Sequence, residues 1–290
     1  MGPPCMKKLA ECDGDIERSA ASLKQLDAVI REHNPVAVLG LFSGGHDSVT
    51  AVHLAARHPA FSAAVHVNTG TGVIEDDFST IGFVRETAKR HGWPLREYQS
   101  DDRYEDIVAE YGFPGPAAHK FMYIRLKERG MRKAVREAKA GHKRNRRVIL
   151  ISGARQEESI RRMGHAIPVQ REGAWVWVNI IWDWTGVDCA RYMAANAIQR
   201  SPVVDRIHKS GECLCGAYAK PGEFEDLKMW CPKTAARLEA MRGSASRPCW
   251  GWGASDRKQW EKALKSMRSA RMPMCDGCAE APIAGLEGLW

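Results

Sequence analysis

The chain has 290 residues, 44% of them hydrophobic, enough for one large domain or a domain with an appendage. No apolar run approaches the roughly 18–20 residues of a membrane span, and residues 1–15, MGPPCMKKLAECDGD, lack the long apolar segment of a signal peptide, so a cytoplasmic protein with no membrane partner is expected. The net charge of +8 and pI of about 9.1 suit a polyanion, nucleic acid or a nucleotide-like substrate, and suit a merely basic surface equally well.

Residues 7–33 are predicted helical, with Leu9, Ile16, Leu23, Leu26 and Ile30 near helical spacing and a break at Gly14. This stretch resembles a helix-turn-helix, whose second helix would offer Glu17, Arg18, Ser19, Ser22 and Lys24 to a groove. A helical hairpin packed on the main domain is the simpler reading. From Val36 the rhythm becomes strand, loop, helix. Strands are predicted at Val36–Phe42, Ala63–Val67, Leu95–Gln99, Val148–Ser152 and Trp175–Ile180. Helices are predicted at Asp47–Arg57, Phe78–His91, Tyr104–Tyr111, 118–140 and Val187–Ala197. Alternation of this kind predicts an α/β fold with a doubly wound, mostly parallel sheet. After about residue 205 strands vanish, Gly, Pro, Cys and Trp become frequent, and helices are expected near 222–242 and 255–269. The implied organisation is a helical segment over 1–34, an α/β domain over 35–205, and a Cys/Trp-rich region over 206–290.

The turn that follows the first strand is Ser43-Gly44-Gly45-His46-Asp47-Ser48. In an open α/β sheet, ligands bind at the carboxyl ends of strands. Gly44 and Gly45 let the backbone approach a phosphate, Ser43 and Ser48 add hydroxyls, and a helix N-terminus adds partial positive charge. Asp47 would repel phosphate, so its presence implies Mg²⁺ between carboxylate and phosphates. The stretch is no Walker A loop.

This S-G-G-x-D-S pattern resembles that of PP-loop ATP pyrophosphatases, which have the adenine nucleotide alpha hydrolase-like fold. They cleave ATP between the α and β phosphates and generally adenylate an acceptor. Further blocks resemble phosphoadenylyl-sulfate (PAPS) reductase-like proteins: HVNTG at 66–70, FPGPAAHKFMYIRLK at 113–127, ISGARQEESIRRM at 151–163 and NIIWDWTGVDCARYM at 179–193. The first block departs from the family's D-T-G, with Asn68 in place of Asp. The resemblance implies that Ser43, Gly44, Gly45, Asp47 and Ser48 hold ATP phosphates and Mg²⁺. It also implies that Asn68, Thr69 and Gly70 border the adenosine pocket. Arg155, Arg161 and Arg162 would offer forked cations to phosphate or to a second substrate, with Asp47, Ser48 and Arg155 as the catalytic set. Arg162 reads equally as a solvated helix face. Glu158 is either a second Mg²⁺ ligand or a residue that orients an arginine.

A sulfonucleotide reductase needs a nucleophilic cysteine in a C-terminal E-C-G-L-H-like motif. The sequence ends CDGCAEAPIAGLEGLW, and GECLCG at 211–216 is only a faint echo of it. Six of the nine cysteines follow residue 210, and two close pairs stand out, Cys213-Leu-Cys215 and Cys275-Asp-Gly-Cys278. Such pairs are chelating spacings. They resemble the layout of iron–sulfur sulfonucleotide reductases, and a [4Fe–4S] cluster on these four cysteines is expected, with structural Zn²⁺ as the close alternative. Cys231 and Cys249 are alternates, and Cys5, Cys12 and Cys189 read as ordinary buried thiols.

Among PP-loop enzymes the chain is most similar in character to the DNA phosphorothioation type. The expected function is adenylation of an acceptor with pyrophosphate release, serving sulfur transfer to a nucleic acid, with that nucleic acid or a sulfur-donor protein as partner. The alternatives are a PAPS or adenylyl-sulfate reductase and a non-catalytic nucleotide- and nucleic-acid-binding module. The basic stretch KAGHKRNRRV, 139–148, is a solvated loop or a track for a nucleic-acid backbone, and exposed tryptophans would stack bases.

Overall fold

The computed structural model describes residues 5–158, 167–210, 212, 214–220, 222–245 and 252 (the side chains of 5–15 and of Glu158 excepted). In it the apolar runs become the inner strands of one sheet. β1 (Ala37–Leu41), β2 (Phe61–Asn68), β3 (Leu95–Gln99), β4 (Val148–Ser152), β5 (Val169–Glu172) and β6 (Trp175–Asn179) lie in the order β3–β2–β1–β4–β6–β5. Neighbours run parallel except β5 and β6, which form an antiparallel hairpin.

A sheet of parallel strands must be covered on both faces, and the side chains alternate accordingly. Val38, Ala64, Ile149, Ile151, Val176 and Val178 face one apolar core. That side is roofed by α1 (Cys5–His33), α2 (His46–Ala55), α3 (Thr80–Arg90) and the helix Gly186–Ala195. Ala37, Leu39, Val65, Val148 and Leu150 face the other core, under the helix Arg129–Ala138. Burying each such aliphatic side chain stabilises the fold by about 1.5–3 kcal/mol.

The basic helical stretch after Pro116 is continuous but not uniform. A 3₁₀ turn, Pro116–Ala118, leads into α5 (His119–Met122), then a π-helical segment, Tyr123–Glu128, then α6 (Arg129–Ala138). With α4 at Tyr104–Tyr111, the helix Gly186–Ala195 is α7, followed by α8 (Pro202–Ile207), α9 (Glu223–Trp230) and α10 (Pro232–Ser244). A third apolar core joins Val73, Tyr104, Ile107, Val108, Met122 and Leu126 to Val203, Leu214, Phe224, Leu227, Cys231 and Leu238. Chain after residue 205 thus packs on the region around α4 and α5.

Three expectations are corrected. The break at Gly14 does not occur: α1 is one helix of 29 residues. A glycine inside a helix costs only about 1 kcal/mol, and α1 is anchored from outside. Arg18 pairs with Asp188, and Ser22 Oγ accepts from Trp184 Nε1 at 3.2 Å. Of the residues that a helix-turn-helix would offer to a groove, Arg18 and Ser22 are therefore bound to the main domain and Ser19 and Ser22 are buried, while Glu17 and Lys24 are exposed. Second, β5 is an unexpected strand. Its sequence, VQRE, is polar because it is the exposed edge of the sheet, and the turn at Gly173 has φ +59°. Third, Pro202–Ile207 is an additional short helix, with Ser201 Oγ accepting from Val204 N at 3.4 Å. The helix expected at 255–269 lies outside the described residues.

Candidate functional site

The chain leaves β1, builds β2 and β3 on one side, and returns to place β4 on β1's other flank. That reversal of direction opens a crevice at the carboxyl ends of β1 and β4, the place where open α/β sheets bind ligands. The loop Ser43–Ser48 leaves β1 there, and Gly153–Arg155 leaves β4 beside it.

The loop has the geometry of an anion nest. Gly44 has φ +83°, a backbone state that side-chain-bearing residues rarely adopt. α2 begins at His46 with Gly45 as its N-cap and no side-chain cap. Among the described residues, the amides of Gly44, Gly45, His46 and Asp47 make no hydrogen bond. Unpaired amides at a helix N-terminus are the donor set that phosphate oxygens take. Ser48 is bonded within the loop. Its hydroxyl donates to Gly45 O at 2.8 Å and accepts from Ser43 Oγ at 3.1 Å, so it braces the loop from within.

Gly153 explains how the two loops come together. A Cβ there would lie 2.6 Å from the Asp47 carbonyl carbon and oxygen, so only glycine permits this approach. Arg155 follows and sets Nε 3.0 Å from Asp47 Oδ1, while its Nη1 donates to Glu157 Oε2 at 2.9 Å. Nε has no well-aligned hydrogen bond, so the Asp47 contact is one of charge. Arg155 is only 9% exposed. Burial favours its neutral form, but the neighbouring Asp47 outweighs this and holds the guanidinium charged. Asp47 keeps part of its carboxylate exposed. One exposed carboxylate beside free amides fits the way Mg²⁺ is held, by one or two carboxylates plus phosphate oxygens. Cys189, from α7, is buried next to Asp47. Burial first, then the Asp47 charge, raises its thiol pKa, so this cysteine is inert in the sense expected.

The second loop, at the end of β2, turns on Asn68, whose Oδ1 accepts from Gly70 N at 2.9 Å. Thr69 is buried. Its amide and its hydroxyl both donate to Glu212 Oε2, at 2.8 and 2.5 Å. Arg237 caps Gly70 O and pairs with Glu105. Beneath lies His66, fully buried, whose Nδ1–H donates to Phe42 O at 2.8 Å; its Nε2 therefore faces Glu212 Oε1 at 3.5 Å. Burial alone would neutralise both groups. The mutual contact, aided for Glu212 by Thr69, overcomes it, raising His66 and lowering Glu212.

Glu212, Ser210 and Arg237 were not identified from the sequence, and Gly153 was read only as part of the ISGARQEESIRRM block. Glu212 stands inside GECLCG, where the cysteines drew the attention, and no local pattern links it to Thr69. Of the four cysteines expected to hold a metal, Cys215 is described and half-buried, its carbonyl accepting from Tyr104 OH at 2.8 Å. Cys213, Cys275 and Cys278 lie outside the described residues, as do Cys249, Arg161 and Arg162. Among the described residues, no group of three or more His, Cys, Asp or Glu is placed to hold a metal. Cys231 is fully buried in the third core, and burial pushes its thiol up to about 12.

Residues 37–214 match the phosphoadenosine phosphosulfate reductase domain family. The chain belongs to that family. Its domain spans the whole sheet and both loops of the crevice. No curated protein is significantly similar to the chain in sequence. Among solved structures, PAPS reductase from Candida auris, a phosphate complex, is 15% identical with a TM-score of 0.45, over 60% of this chain and 79% of that one. FMN adenylyltransferase from Candida glabrata with FMN and the ATP analogue AMPCPP is 12% identical with a TM-score of 0.46, over 91% and 93%. The same enzyme with FAD and inorganic pyrophosphate is 11% identical with a TM-score of 0.44, over 73% and 65%. Likeness at this level says nothing about activity. Among the described residues, no helix is long and apolar enough to cross a membrane.

Proposed function

We propose that this member of the PAPS reductase domain family binds Mg·ATP at the crevice and releases pyrophosphate as it adenylates an acceptor. The observation that carries the reading is the loop itself: positive-φ Gly44 and the amides of Gly44–Asp47 at the start of α2, unpaired among the described residues, beside the Asp47–Arg155 pair. The amides of Gly44–Asp47 would take phosphate oxygens. Arg155, kept charged by Asp47, would take negative charge developing on the α-phosphate. Mg²⁺, when bound, supplies charge neutralisation between Asp47 and the phosphates. Asn68 and Gly70 would border the adenosine, with Thr69 holding the loop from behind. Arg161 remains a further phosphate contact on the strength of the sequence motif.

In this reading the acceptor is a nucleic acid and the adenylate serves sulfur insertion, as in phosphorothioation-type enzymes. Support comes from the net charge and from the paired cysteines 213/215 and 275/278, read as a [4Fe–4S] or Zn²⁺ site. Wild-type protein should release pyrophosphate from Mg·ATP, and Asp47→Ala should lower that rate by at least about a hundredfold, the scale of one electrostatic contact made in the transition state.

The family match itself favours a second reading, a sulfonucleotide reductase. Thioredoxin-dependent sulfite release from phosphoadenylyl sulfate, without pyrophosphate release from ATP, would establish it in place of the first.

A further inference from the structure

The two loops of the crevice are bridged by a pair of residues from one short piece of chain. Ser210 packs on the phosphate loop: its Cβ would lie 3.4 Å from a Cβ at Gly45, and its Oγ donates to Ser43 O at 3.5 Å. Two residues on, Glu212 holds the second loop through both donors of Thr69. It is also tight against Gly72, where an added Cβ would meet Glu212 Oε1 at 3.0 Å. Glu212 itself is 7% exposed, a buried carboxylate whose charge is matched by His66.

A buried carboxylate is costly, and a fold tolerates it where its hydrogen bonds are worth more than an apolar filler. Here those bonds fix one thing, the orientation of the Thr69 peptide. With the amide and hydroxyl of Thr69 both held, and Asn68 Oδ1 accepting from Gly70 N, the Asn68–Gly70 turn is held in one conformation. Without Glu212 the turn would have to find that conformation on binding, and the ordering cost would appear in the affinity.

We infer that Glu212 is a positioning residue for the nucleotide: it acts through Thr69 to pre-set the Asn68–Gly70 turn, and with Ser210 it ties the turn to the phosphate loop. This rests on the reading that the crevice takes an adenine nucleotide. It makes Ser210 and Glu212 part of the nucleotide pocket's wall.

The test is Mg·ATP affinity by titration calorimetry on the full chain, for wild type, Glu212→Gln, Thr69→Val and the double variant. Glu212→Gln keeps the shape and one acceptor, and Thr69→Val keeps the shape without the hydroxyl, so both should fold. Each should weaken Mg·ATP binding by about tenfold, the factor that corresponds to one hydrogen bond to a charged group. The double variant should be little worse than either, because one route carries both effects. In pyrophosphate-release kinetics the loss should fall on KM, with kcat kept. A merely structural Glu212 would lower the unfolding temperature and leave affinity and KM unchanged, which would overturn the inference while leaving the ATP reading intact. Fully additive losses would show that Glu212 does not act through Thr69. If wild-type protein binds no Mg·ATP, the ATP reading falls and this inference falls with it.

Discussion

Single residues decide whether the crevice can form. Gly153 is the clearest case, because the position it occupies leaves no room for a methyl group beside Asp47. Gly153→Ala should destabilise the protein by about 1–3 kcal/mol through overpacking, and push Asp47 away from Arg155. Thermal unfolding and Mg·ATP titration would register both effects; an unchanged affinity would mean that the Asp47–Arg155 contact is not needed. Histidines set the pH response. Burial, then Arg200, lowers His46 to about 4, although Asp205 and Asp47 pull it back; burial, then His91 and Arg57, lowers His53 to about 4. Between about 6.5 and about 4 the unfolded chain binds these protons and the folded chain does not, so stability falls as pH falls through that window. His66 is raised instead, so its contribution is present below its unfolded value of about 6.5 and is lost as pH rises through its folded value. The unfolding temperature should therefore peak near pH 6.5, and His46→Asn should flatten the acid side. A stability that keeps rising with acidification would contradict this.

At the scale of elements, the strands were readable because three of them are nearly unbroken apolar runs, as sheets covered on both faces require. β4 and α4 fall where the sequence places them, at Val148–Ser152 and Tyr104–Tyr111. The turn Ser43–Ser48 was readable because its signal is local: six consecutive residues between a strand and a helix. What was not readable depends on distant partners. Thr69 and Glu212 are 143 residues apart, and no pattern on either side reports the bond. α1 misled for the same reason. Its continuity past Gly14 comes with docking of Arg18 and Ser22 on Asp188 and Trp184, which lie about α7. β5 was missed because an exposed edge strand carries no apolar signal.

For the molecule as a whole, the two ends of the sheet carry different residues. The crevice lies at the carboxyl ends of the strands. The basic stretch 139–147 lies at the opposite end, leading into the amino end of β4, a strand length of roughly 17 Å away. There Lys143 and Arg144 are exposed, Arg146 is tied to Asn34, and Arg147 to His33. On the same side Arg132 stacks on Trp175 at 5.5 Å. This placement separates any polyanion held by that stretch from the adenylation proposed for the crevice. Lys143→Glu with Arg144→Glu should leave pyrophosphate release from ATP unchanged and, if nucleic acid tracks this face, reduce the salt dependence of its binding by about two phosphate contacts. Anisotropy of labelled nucleic acid at several salt concentrations would show it; a loss of pyrophosphate release would contradict the separation.

The most direct test is the identity of the products formed from Mg·ATP with nucleic acid supplied as acceptor. Chromatography of labelled nucleotide should show AMP, or an adenylylated acceptor, together with pyrophosphate, and neither should form with Asp47→Ala. ADP with phosphate, or intact ATP beside sulfite released from phosphoadenylyl sulfate, would contradict the assignment of the Ser43–Ser48 loop to cleavage between the α and β phosphates.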